Sequence, residues 1–129
     1  MTSRRCLLLV LLLVFLVSAC ASTSPLATKS GDRKALLGLW EEEWPDQEDH
    51  DRYRIDEADG QVTITPLNRT DIQAVKEVFF QHKRLVFTLV LNGSPVRYDL
   101  VLVNPTLLAG RAKGGARNFD EPVRWHKKD

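Results

Sequence analysis

Seven carboxylates crowd into the eleven residues Glu41-Glu42-Glu43-Trp44-Pro45-Asp46-Gln47-Glu48-Asp49-His50-Asp51. A hard cation such as calcium needs several such oxygens converging on one point. The spacing lacks the turn glycine and the terminal glutamate of an EF-hand loop, so it fails that test. The segment reads as a loop between strands that like-charge repulsion keeps extended. It is either simply solvated or, through Asp46, Glu48, Asp49 and Asp51, a docking site for a basic partner. His50, His82 and His126 are scattered and lack the spacing of zinc ligands. No metal and no cofactor is expected.

Nucleophiles are equally scarce. The only cysteines are Cys6 and Cys20. Ser94 sits beside Gly93 with no evident base, and no Gly-x-Ser-x-Gly elbow occurs. Gly110-Arg111-Ala112-Lys113-Gly114-Gly115 could cradle a phosphate only if a helix followed, and none is expected there. No catalytic residue is assigned, and the chain is expected to bind rather than to catalyse.

The elements that would carry a binding site are strands. Asn92-Gly93 lies between two apolar runs, a strong hairpin signal. A two-residue loop there sets Leu91 opposite Ser94, Leu89 opposite Val96, Phe87 opposite Tyr98 and Leu85 opposite Leu100, all on one face. Asp59-Gly60 likewise sets Ile55 opposite Ile64 and Tyr53 opposite Pro66. Asn104-Pro105 would bring Leu102 to Leu107 and Leu100 to Ala109. Gly114-Gly115 leads into a last strand with Val123 and Trp125 facing inward. Strands are expected at about 36–44, 51–58, 61–67, 73–81, 84–91, 95–103, 106–113 and 120–127. Residues 72–82 stay open between strand and helix. Ile72, Val75, Phe79 and His82 fit a helical stripe, whereas Val75, Val78, Phe79 and Phe80 favour a strand.

The fold expected is all-β: an antiparallel meander of about eight strands, its first and last pairing to close a small barrel. A signal-peptide helix and a flexible tether precede it. Such a barrel is either filled by side chains or open enough for one small hydrophobic ligand. Trp40, Phe87 and Tyr98 are candidate ligand contacts. Arg111, set opposite Tyr98 by the expected register, either reaches out from the barrel end or meets a ligand's anionic head. Charge is split along the chain, with eleven acids and five bases in residues 21–60 against six acids and eleven bases in 61–129. Cancellation across neighbouring strands is expected, and no single-sign excess points to nucleic acid.

The N-terminus names a compartment. Arg4-Arg5 precede an unbroken apolar run, Leu7 to Val17, that ends in Ser18-Ala19-Cys20. Eleven residues make a helix of about 17 Å, too short for a bilayer core of about 30 Å, so this is a secretory signal. Its ending resembles the lipobox of bacterial lipoproteins. That resemblance implies cleavage before Cys20, acylation of Cys20 and anchoring to the cell envelope. With Ala21 where the inner-membrane retention signal places aspartate, it implies the outer membrane, facing the periplasm. The domains are then residues 1–19 as signal peptide, 20–33 as lipidated cysteine and tether, and 34–129 as the barrel. The expected partners are the membrane, a small hydrophobic ligand and a basic envelope protein. Gly38-Leu39-Trp40 resembles the Gly-x-Trp signature of lipocalins, which implies that Trp40 plugs one barrel end with Arg124 packed over it.

Overall fold

The computed structural model describes residues 30–44 and 48–129. The signal sequence, Cys20 and Asp46 lie outside the described residues. One short helix, α1 (Ser30–Leu36), precedes eight strands. These are β1 (Gly38–Glu43), β2 (Asp51–Ala58), β3 (Gln61–Pro66), β4 (Ile72–Gln81), β5 (Arg84–Leu91), β6 (Ser94–Asn104), β7 (Leu107–Gly114) and β8 (Phe119–Lys127). Each strand pairs antiparallel with its neighbour in sequence, with one exception, and β1 pairs with β8. The exception is β3 and β4, which lie side by side without a hydrogen-bonded ladder. The result is a nearly closed barrel of the lipocalin-like kind, with one open seam.

Two hairpins have the register that their turns dictate. Leu91 faces Ser94, and Phe87 faces Tyr98. Ala58 faces Gln61, and Ile55 faces Ile64. Asp59, Gly60, Asn92 and Gly93 all have positive φ, as tight two-residue turns require. Alternate residues of every strand but β4 then point inward and fill the core, from Trp40 and Ile55 through Leu85, Leu89 and Leu100 to Val123 and Trp125.

β4 is a strand carrying two bulges, between Ile72 and Ala74 and between Lys76 and Phe79. Glu77 has φ +57° at the second. Each bulge inserts a residue, so Ile72, Val75, Val78 and Phe80 lean against the core at intervals of three, three and two. A strand with that spacing imitates a helical stripe.

Three expectations are corrected. Residues 30–33, expected as the end of a flexible tether, form the first turn of α1, whose Leu36 is fully buried in the core. At the β6–β7 turn, Asn104 pairs with Leu107 and the ladder shifts between Asn104 and Leu102, which faces Leu108. That shift of one residue exchanges the faces of β7. Leu108 and Ala112 point inward, while Arg111 lies on the outer face opposite Asp99 rather than inside opposite Tyr98. Arg124 also faces outward, because Val123 and Trp125 on either side are buried. Lys127 lies over Trp40 instead, its ammonium 5.7 Å from the ring centroid.

Candidate functional site

The two ends of the barrel differ. One end is stoppered by α1. Leu36 enters the core, and the Trp40 indole donates to its carbonyl at 2.8 Å. The Lys127 ammonium donates to the Ala35 carbonyl at 2.8 Å, satisfying a backbone group that the helix end leaves free. The opposite end carries residues 48–50 and 67–71 and the β5–β6 and β7–β8 turns. There a pocket of about 330 Å³ opens between Trp44, Asp51, Arg69, Leu91, Tyr98 and Phe119.

Each lining residue is placed by its element. Trp40 and Glu42 alternate along β1 and Trp44 follows directly after its end in the same period, so all three turn inward. Phe119 opens β8 opposite Gly114, and a Cβ on Gly115 would stand 2.9 Å from its ring. Arg69 sits in a connection held at both ends. Asn68 accepts from the Arg52 amide at 2.7 Å and donates to the His50 carbonyl at 2.9 Å. The Asp71 carbonyl accepts from the Asn92 amide at 3.3 Å, and Gln73 accepts from the Gly93 amide at 2.8 Å. The Arg69 guanidinium donates to Asp71 through Nε and a terminal nitrogen, and to Asp51 at 3.1 Å through the other. That bond to Arg69 is the main reason the Asp71 carboxyl is held below its usual range.

Glu42 stands beneath the pocket. It is fully buried, and its carboxylate accepts from the Tyr98 hydroxyl at 3.0 Å. Burial pushes its pKa up to about 7, against the opposing pull of that hydrogen bond. Around it are aromatic rings. Tyr53 stacks on Trp125 at 4.3 Å, Phe87 on Tyr98 at 4.7 Å, and Trp125 tilts against both members of the second pair. The Trp125 indole nitrogen is buried and has no hydrogen-bond partner among the described residues. Burial, then the nearby Glu42, raises the Tyr53 hydroxyl far above its ordinary pKa.

Of the candidate ligand contacts, Tyr98 lines the pocket, and Phe87 stacks on it from within the core. Trp40 lies at the stoppered end. Arg111 lines a separate outer groove of about 310 Å³ with Arg97, Asp99, Gly110 and Lys113, and is paired with Asp120 at 2.7 Å. The acidic run divides. Glu41, Glu42 and Glu43 belong to β1 rather than to a loop. Glu48 and Asp49 are exposed, and Asp51 is taken up by Arg69. Some charge does cancel between the two halves, as in the contacts of Glu41 with Lys128 and of Asp51 with Arg69.

Sequence reasoning missed Glu42 and Arg69. For Glu42 a signal exists: Trp40-x-Glu42-x-Trp44 has the period of a strand, and an inward Trp40 carries Glu42 inward with it. For Arg69 the signal is weaker. The Asp59-Gly60 register, extended past Tyr53 and Pro66, brings Asp51 near residue 68. Among the described residues no group of three or more His, Cys, Asp or Glu could hold a metal ion, and no helix is long and apolar enough to cross a membrane. Comparison with known proteins gave no matching family, no matching curated protein and no matching solved structure.

Proposed function

We propose that this chain binds a small, largely apolar molecule in the open end of its barrel, without catalysis, while acyl chains on Cys20 hold it to the cell envelope. One observation carries the binding reading: the barrel is stoppered at the α1 end and opens into a recess at the other. The recess, about 330 Å³, has Trp44, Leu91 and Phe119 in its wall and a few fixed polar groups, Asp51, Arg69 and Tyr98. Apolar walls with a few convergent polar groups are the usual make-up of a small-molecule pocket, and this volume is at the lower end of the usual range. The lipid anchor is supported by the Ser18-Ala19-Cys20 ending of an apolar run too short to span a bilayer. Acylation by two chains or more gives stable attachment, since each buried methylene contributes about 0.8 kcal/mol.

Mass spectrometry of small molecules that co-purify with the detergent-extracted native protein tests the pocket. A molecule present in proportion to protein is expected. A clean spectrum, together with tryptophan emission unchanged by added apolar probes, would reject the binding reading. Labelled palmitate tests the anchor, and Cys20→Ser should lose the label. The alternative, docking of a basic envelope protein on the acidic segment 41–51, rests on the exposed Glu48 and Asp49, because the Asp51 side chain is mostly buried beside Arg69 and out of reach of a protein surface.

A further inference from the structure

Charge around the open end is lopsided. Arg69 is the one cation lining the pocket among the described residues, and its donors are directed at Asp71 and Asp51. Glu42 lies behind as a third carboxylate. An anionic head entering here would meet a guanidinium that is already neutralised, with an excess of negative charge behind it.

The hydrogen-bonding groups are biased the same way. Tyr98 has one proton to give, and it points at Glu42, so the phenolic oxygen is left as an acceptor. The Asp51 carboxylate lines the same space. The Tyr53 hydroxyl is buried in the field of Glu42, Asp51 and Arg69. The wall includes the aromatic rings of Trp44 and Phe119, and an aromatic ring can attract a cation as well as apolar surface.

We propose that the pocket takes an amphipathic amine, its apolar body against Trp44, Leu91 and Phe119 and its protonated nitrogen against Asp51 and the Tyr98 oxygen. This rests on the binding role proposed above and adds the chemistry of the ligand's head.

Three probes with one body separate the possibilities: octylamine, octanol and octanoate, each titrated into the full chain and followed by tryptophan emission and calorimetry. The amine should bind about tenfold more tightly than the alcohol, and octanoate more weakly than either. Asp51→Asn and, independently, Tyr98→Phe should each bring the amine-to-alcohol ratio towards one, with circular dichroism confirming the fold. The second variant keeps the test decisive should the first unfold. Octanoate binding as tightly as the amine, or a ratio that neither variant changes, would overturn the amine assignment and leave the pocket standing. Binding by none of the three would overturn both.

Discussion

The Tyr98 hydroxyl donates to the Glu42 carboxylate at 3.0 Å across the inside of the barrel, joining β6 to β1, which are not neighbours in the sheet. This polar tie inside an apolar core makes stability depend on pH in an unusual direction. Burial raises Glu42 from an ordinary value of 4.5 to about 7, with Tyr98, Tyr53, Asp51 and Arg69 as the other groups acting on it. Between those values the folded protein keeps a proton that the unfolded chain has lost. Stability therefore falls as pH rises from about 4.5 to about 7, by roughly 3 kcal/mol, and this contribution is flat on either side. Asp71 and Asp99, held low by Arg69 and Arg84, act in the opposite sense and at lower pH. Urea midpoints measured across the window should fall for the native chain and stay level for Glu42→Gln. An equal fall in both would place the titration elsewhere.

Tyr98→Phe removes the donor and keeps the ring stacked on Phe87. Above about pH 7 the ionised Glu42 then loses its hydrogen bond, at a cost of about 1–3 kcal/mol. Below about pH 5 the carboxyl is neutral and the cost is smaller. Denaturation at the two pH values gives the difference directly.

Arg69→Leu leaves Asp51 and Asp71 without their shared partner. A loss of about 2 kcal/mol is expected, since both the Arg69 and Asp51 side chains are mostly buried. Hydrogen exchange at the Asn92 amide, which donates to the Asp71 carbonyl, should quicken as the connection loosens. An unchanged exchange rate would show that the ion pairs do not hold residues 67–71 in place.

Gly110→Ala should be among the most damaging small substitutions in the barrel. A Cβ there would stand 1.9 Å from the Asp99 carbonyl oxygen, so β6 and β7 would have to separate. A loss of about 3 kcal/mol is expected. Gly31→Ala in α1, where a Cβ meets nothing within 4 Å, is the control and should be neutral or stabilising.

Much of the fold can be read from the chain because its turns are written in residues that tolerate positive φ. Asn92-Gly93 and Asp59-Gly60 fix their registers, and from them follows the inward placement of Tyr53, Phe87 and Tyr98. Asn104-Pro105 is legible as a turn but not in its register. The Asn104 side chain accepts from the Thr106 amide and hydroxyl, so the loop is Pro105-Thr106, and the extra residue is absorbed beside Leu102. One residue of slippage was enough to send Arg111 to the wrong face.

The site was harder to read than the frame. Three consecutive glutamates suggest solvent, yet β1 alternates regardless of charge, and the position of Glu42 is set by the tryptophans on either side. Arg69 gains its role from Asp51, eighteen residues away, and from a connection that hydrogen bonds rather than apolar spacing hold in place. Hydrophobic periodicity carries no information about such a contact.

The seam between β3 and β4 separates what holds the barrel from what shapes its mouth. Among the described residues, 67–71 join the only consecutive strands that share no ladder. A circular permutant cut within that link, with the old ends spliced near α1 and the close of β8, would retain all seven strand pairings. It would also set free the segment that carries Arg69. The ladders that close the barrel and the link that shapes its open end are thus different joints of the same chain.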